Sequence, residues 1–326
     1  MDYSTWSSTY GFLETIWTEV SLKGWSLDTI YPNILTLSTS DPFVYALVIC
    51  GIATFVTWLL SVISGNYSQV DKLWSILPVY YLWIWCFGMG EIREMLQITR
   101  VRLVLYLTTM WGARLTYNFH RKGGYTWTGE DYRWPIIRSY LHPILFQILN
   151  VFFIAIWQNL LLLALVFPGY VVLRVGDEVP YNWLDTVAAG ICLSSIFLEI
   201  VSDQQQWNFQ ERKYELIRTK GVLEGDYGRG FLTSGLFRLS RHPNYVGEMS
   251  FWWGIYLFGI SSMNGTTWFH WTSIGTLSLT FLFQASTLVT EILTESKYPL
   301  YKVYKKAVPR FIPFTLPSEP EFKKIE

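Results

Sequence analysis

Arg241, His242, Asn244, Tyr245 and Glu248 crowd eight positions just before a stretch, 249–290, whose only acidic or basic residue is His270. A helix starting there offers unpaired N–H groups and the positive end of its dipole. With a basic residue beside it, such a start suits a phosphate or a carboxylate. An isolated arginine at this depth would simply snorkel to lipid head groups. The grouping with His242, Asn244 and Glu248 points instead to recognition, because buried polar groups require partners. Arg114 is a second anomaly, inside the apolar run 101–119. An intramembrane arginine is costly unless paired, so it reads either as a site residue or as the structural partner of Asp71 or Glu199.

The elements that must position these groups are long apolar runs. Of the 326 residues, 51% are apolar, 18% aromatic and only 15% charged, against about 25% charged in a soluble domain. A helix needs about 20 apolar residues to cross a bilayer. Runs at 43–64, 73–90 (with Pro78 as a kink), 101–119, 144–167 and 183–202 meet or approach that length. The stretch 249–290 holds two more, joined by a turn at Asn264-Gly265-Thr266-Thr267. The expected fold is therefore all-α, a polytopic transmembrane bundle of about seven spans. The expected organisation is a lumenal or interfacial segment at 1–42, a membrane domain at 43–314 with its cofactor half at 199–314, and a tail at 315–326.

With the N-terminus lumenal, the segments 65–72, 120–142, 203–247 and 291–326 hold 19 of the 25 lysines and arginines. The positive-inside rule then places the C-terminus in the cytosol. The final Lys323-Lys324-Ile325-Glu326 resembles a dilysine retrieval signal, which implies the endoplasmic-reticulum membrane. A formal net charge of zero removes the electrostatic case for nucleic acid. Cys50, Cys86 and Cys192 lie in apolar runs and read as packing residues, and no His/Cys grouping has metal-site spacing.

The block SGLFRLSRHPNYVGE resembles the C-terminal signature of the steroid 5-alpha-reductase-like membrane family, and more closely its DUF1295 branch. Upstream, LEIVSDQQQWNFQ is similar to that branch's E-x-x-x-D-x-Q-x-x-x-F pattern, and downstream ESKYPLYKVYKKAVPRFIPF resembles its closing element. VDKLWSILP and WGARLTYNFHRKGG also look like DUF1295 segments, so the resemblance covers roughly 70–315. It implies an NADPH site opening into a helical bundle that admits a small, apolar, lipid-like substrate. Asp203, Gln205, Arg241, His242, Asn244, Tyr245, Glu248, Glu295, Lys297 and Tyr298 fall at the matching cofactor positions. Trp207 and Gln210 stand where the steroid reductases carry basic residues, and their N-terminal Gln-Glu pair has no counterpart here.

Reduction of a polarised C=C bond needs a hydride on one carbon, a proton on the other, and a dry site for the acid. Asp71, Trp74, Arg114 and Tyr117 face the expected cytosolic half, and Asp71, Arg114 and Tyr298 are the candidate catalytic residues. Asp131 and Arg133 read either as a surface ion pair or as a cover over the cofactor. The alternatives are a lipid or isoprenylcysteine-type methyltransferase, with S-adenosylmethionine facing Glu291 and Glu295, and a non-catalytic lipid-binding protein.

Overall fold

The computed structural model describes residues 41–312. The expected N-terminal segment falls almost wholly outside these residues, and Pro313 and the dilysine-like end fall wholly outside them. Asp41 and Pro42 start the first described helix by separate means. Asp41 Oδ1 accepts from the Phe43 N–H at 2.8 Å, and Pro42 lacks an N–H that would have no partner in the first turn anyway. This helix, α1 (Pro42–Ser64), stops at Gly65, whose φ of 66° lies in the left-handed region.

Pro78 acts differently from expectation. A 3-10 turn occupies Val70–Leu73 and α2 is Leu77–Met89, with Pro78 in its first turn. Proline is accommodated at that position, so it starts the helix rather than bending it. There follow α3 (Thr99–Arg121), the short α4 (Arg133–Tyr140) and α5 (Pro143–Val175), which contains a π-helical segment at Asn150–Trp157. Then come α6 (Trp183–Arg218), α7 (Pro243–Ser262), α8 (Ser273–Lys297) and the short α9 (Tyr301–Ala307). No β-strand occurs among the described residues.

Helix α6 runs 16 residues past the expected end at 202. Asn182 and Asp185 start it with a reciprocal capping box. Residues 203–218 contain no glycine or proline and are rich in Gln, Glu, Lys and Arg, so the helix outlasts its apolar pattern. What reads as a loop from 203 is therefore first a polar helical extension.

Among the described residues four helices, α1, α5, α6 and α8, are long and apolar enough to cross a membrane. Each turns large apolar side chains outward, for example Phe55, Phe152, Phe197 and Phe281. Such a surface suits lipid rather than water, and this is the build of a multi-pass membrane protein. Helix α7 is the central one and lies against α6. A Cβ on Gly247 would fall 2.4 Å from Glu199 Cγ, and one on Gly254 would fall 2.6 Å from Cys192 Sγ. These small residues let the two backbones approach closely. At one end of the bundle Arg100 forms a two-pronged bond to Asp185, 2.7 Å on each prong, and also donates to the carbonyls of Val179 and Pro180. The residues of the RHPNY block gather at the other end, called here the signature end.

Candidate functional site

Helical spacing builds the first cluster. Trp111 and Arg114 are three apart on α3, Glu199 and Asp203 four apart on α6, and Glu248 and Trp252 four apart on α7, so each pair shares a face. Arg114 Nη1 donates to Asp203 Oδ2 at 2.9 Å, and Nη2 lies 3.3 Å from Glu248 Oε2 and 2.8 Å from Glu199 Oε2. The indoles of Trp111 and Trp252 donate to the two oxygens of Glu248 at 2.9 and 3.1 Å. One guanidinium thus faces three buried carboxylates. Glu199 is fully buried, and neither of its oxygens meets an aligned hydrogen-bond donor. Of the two partners expected for Arg114, the structure supplies Glu199 and not Asp71.

Arg241 and His242 turn the other way, toward the chain after α9. Glu291 Oε1 accepts from Arg241 Nε at 2.7 Å and lies 3.0 Å from His242 Nε2. Arg241 Nη1 also donates to the carbonyls of Lys305 and Val308, while the backbone N–H of Arg241 bonds Pro309 O at 3.0 Å. Burial holds the His242 imidazole below its ordinary pKa, against the pull of Glu291. Glu295 pairs with Lys305 at 2.9 Å. These groups fasten the C-terminal strap to α7 and α8.

Tyr298 closes α8. Its hydroxyl accepts from Lys213 Nζ at 2.9 Å, and the same ammonium lies 4.8 Å above its ring and donates to Gly230 O. Burial opposes ionisation of Tyr298, yet Lys213 and then Lys297, 5.4 Å over the ring, bring its pKa below the ordinary value. Gln205 Oε1 accepts from the Leu236 N–H at 2.9 Å and so holds the loop before the signature block. Asn244 is half-buried in the first turn of α7.

A cavity of about 710 Å³ opens at the signature end between the segment before α2 and helices α3, α4, α5 and α8. Asp71, Trp74, Phe153, Tyr245 and Phe283 line it, with Asp131 and Arg133 at its rim. Tyr245 stacks on Phe283 with ring centres 4.5 Å apart, and His242 lies behind it at 5.5 Å. Asp131 takes a two-pronged bond from Arg133, 2.8 Å on each prong, and Arg133 also donates to Ser286 of α8. Burial, reinforced by the nearby Asp131 charge, pushes the Asp71 carboxyl up to about 6. Burial likewise lowers the pKa of Lys122, which lines the cavity and forms no ion pair among the described residues. Of the candidate catalytic residues, Asp71 lines this cavity, whereas Arg114 and Tyr298 do not. A second hollow, about 840 Å³, lies between Gln205, Phe209 and Arg212 of α6 and the segment 222–235.

Residues 57–308 match the family described as protein of unknown function (DUF1295). The chain belongs to the DUF1295 family. An uncharacterized protein of Schizosaccharomyces pombe is 38% identical to this DUF1295 chain over 281 residues, covering 84% of the chain and 80% of the relative. No solved structure matches it.

Several residues of the site carried no signal on their own. Trp111 and Trp252 were two of 17 tryptophans, and only the shared register of α3 and α7 brings both to Glu248. Lys213, Phe283 and Ser286 likewise matter through packing. The spacing of Glu199, Asp203 and Arg114 along their helices was the one usable sign, since it puts two acids on a single face.

Proposed function

We propose that this DUF1295 protein is a seven-span reductase of the endoplasmic-reticulum membrane, with its C-terminus in the cytosol. It uses NADPH to reduce a carbon–carbon double bond in a lipid or sterol-like molecule. The observation that carries this reading is one apolar cavity faced by both the signature Tyr245 and a carboxyl group, Asp71, whose pKa lies near 6. Its volume, about 710 Å³, falls within the roughly 300–1,000 Å³ of small-molecule sites.

The residues present fit the cofactor. Stacked Tyr245 and Phe283 with Trp74 offer flat apolar walls for a nicotinamide. Arg121 of α3 lies 4.8 Å over the ring of Trp207. It brings positive charge beside a position where the steroid reductases carry their own basic residue. NADPH supplies a hydride when bound. Asp71 holds the proton for the other carbon; at pH 7 about one carboxyl in ten is protonated, given a pKa of about 6. After delivering that proton, Asp71 is left as a carboxylate and regains a proton from water at the rim. The Tyr245 hydroxyl is positioned to donate to the oxygen on which negative charge develops. Arg114, with its three carboxylates, fixes α3, α6 and α7 around the cavity and acts as a positioning residue.

One observation weighs against the methyltransferase. The acidic pair that reading turns toward a methyl donor is engaged elsewhere: Glu291 by Arg241 and His242, and Glu295 by Lys305. The test uses purified protein reconstituted with an extracted lipid mixture and NADPH deuterated at the transferring carbon. A lipid species gaining one deuterium and one hydrogen is expected, and Asp71→Asn slows this by about 10²–10⁴-fold. Transfer of an isotopic label from S-adenosylmethionine to lipid, with none from NADPH, refutes the reading.

A further inference from the structure

Helices α5 and α8 touch and then part. A Cβ on Gly275 would fall 2.3 Å from the carbonyl carbon and oxygen of Ala164, so the two backbones meet there. Toward the signature end they diverge, and the 710 Å³ cavity fills the wedge between Leu149 and Phe153 on α5 and Phe283 and Ser286 on α8. Ala285 and Val289 both line the cavity and lie exposed on the outer surface of α8, so the wedge opens sideways. Its flanks are apolar: Phe152 is 64% and Phe281 71% exposed. An opening with such flanks, between two helices of span length, faces lipid chains rather than water.

Charge at the inner end of the wedge specifies the head of the occupant. Two cations, Lys122 and Arg133, stand against three carboxylates, Asp71, Glu130 and Asp131. Arg133 is neutralised by Asp131, and Glu130 accepts from the Tyr67 N–H at 2.8 Å. No net positive charge is left to balance an anionic head, and an unpaired buried anion is costly. A neutral oxygen, by contrast, finds a donor in the Tyr245 hydroxyl.

We propose that the wedge between α5 and α8 is a lateral opening to the bilayer that admits an amphipathic lipid with a single uncharged oxygen head, a hydroxyl or a ketone. This rests on the cavity of the reading above but not on its redox step. The full chain in nanodiscs, without nucleotide, is exposed to diazirine-bearing hexadecanol, hexadecanoic acid or hexadecyl phosphate, and the cross-links are mapped. The alcohol is expected to label 149–158 and 282–289 at least about ten-fold more than the acid or the phosphate, a difference of about 1.4 kcal/mol. Ala285→Trp and Val289→Trp each narrow the opening and cut that labelling by about ten-fold. Leu288→Trp, exposed on α8 and outside the lining, leaves it unchanged. Equal labelling by acid or phosphate overturns the head assignment, and labelling indifferent to both cavity-side tryptophans overturns the opening. A chain that captures the alcohol yet never oxidises NADPH sinks the reductase reading and leaves this one standing.

Discussion

Replacing Arg114 by glutamine leaves Glu199, Asp203 and Glu248 facing one another without a cation, all three buried. At an effective dielectric of about 20, two unit charges about 4 Å apart interact by about 4 kcal/mol. Removal of one partner from a buried ion pair costs about 3–5 kcal/mol, and Arg114→Gln is expected to lose that much stability. Glu199→Gln should behave in the opposite way. It removes one of three crowded carboxyl groups, and no aligned donor is lost because neither Glu199 oxygen has one. Its cost is expected within about 1 kcal/mol of zero. Combined with Arg114→Gln it should recover about 0.5–3 kcal/mol, the coupling typical of groups in contact. Glu248→Gln should fall between them, since it weakens two indole bonds to a charged acceptor, each worth about 1.5–3 kcal/mol. Denaturant unfolding in detergent, followed by the fluorescence of Trp111 and Trp252 among the tryptophans, reads all four variants. The charge argument fails if Arg114→Gln stays within about 1 kcal/mol of the parent, or if Glu199→Gln costs as much as Arg114→Gln.

The Asp71 carboxyl is raised from 3.8 to about 6 on folding, so the folded chain holds its proton more tightly between those values. Its contribution to stability is full below pH 3.8 and is lost as pH rises through about 6. Asp71→Asn should remove that slope, measured by denaturant unfolding across pH, and reduction that draws on this proton should fall about ten-fold per pH unit above 6 in the parent. At the far end of the bundle, Arg100→Met or Asp185→Leu alone strands a buried charge and should cost about 3–5 kcal/mol, whereas the double substitution should be far milder. Gly247→Ala drives a methyl to 2.4 Å from Glu199 Cγ and should cost about 1–3 kcal/mol in the same unfolding assay, while Gly51→Ala, with open space around it, should be neutral or stabilising.

The helix boundaries were legible where the chemistry is local. Asp41-Pro42 and Gly65 bracket α1, and Asn264 and Gly265, with φ of 56° and 67°, make the turn between α7 and α8. Legibility ended where apolar pattern and helix diverge. The extension of α6 beyond Ser202 is polar, and the π-helical segment of α5 has no marker in residue type. The need of Arg114 for a partner was visible, but which acids answer it depends on how α3, α6 and α7 rotate against one another. The RHPNY block reads as a single site, yet its members divide. Arg241 and His242 fasten the strap through Glu291, Tyr245 faces the cavity, and Glu248 lies one turn deeper against Arg114. Spacing alone does not reveal that division, because it is set by partners distant in sequence.

The cavity beside Tyr245 and Asp71 is proposed to hold the nicotinamide of a bound NADPH. Thermal unfolding of the purified chain with NADPH, NADH or S-adenosylmethionine tests it most directly, since a ligand that binds only the folded state stabilises it by about 2.7 kcal/mol at a hundred times its Kd. A higher melting temperature is expected with NADPH, diminished in Tyr245→Ala, and no change is expected with the methyl donor. A rise with S-adenosylmethionine alone, or none with any of the three, contradicts it.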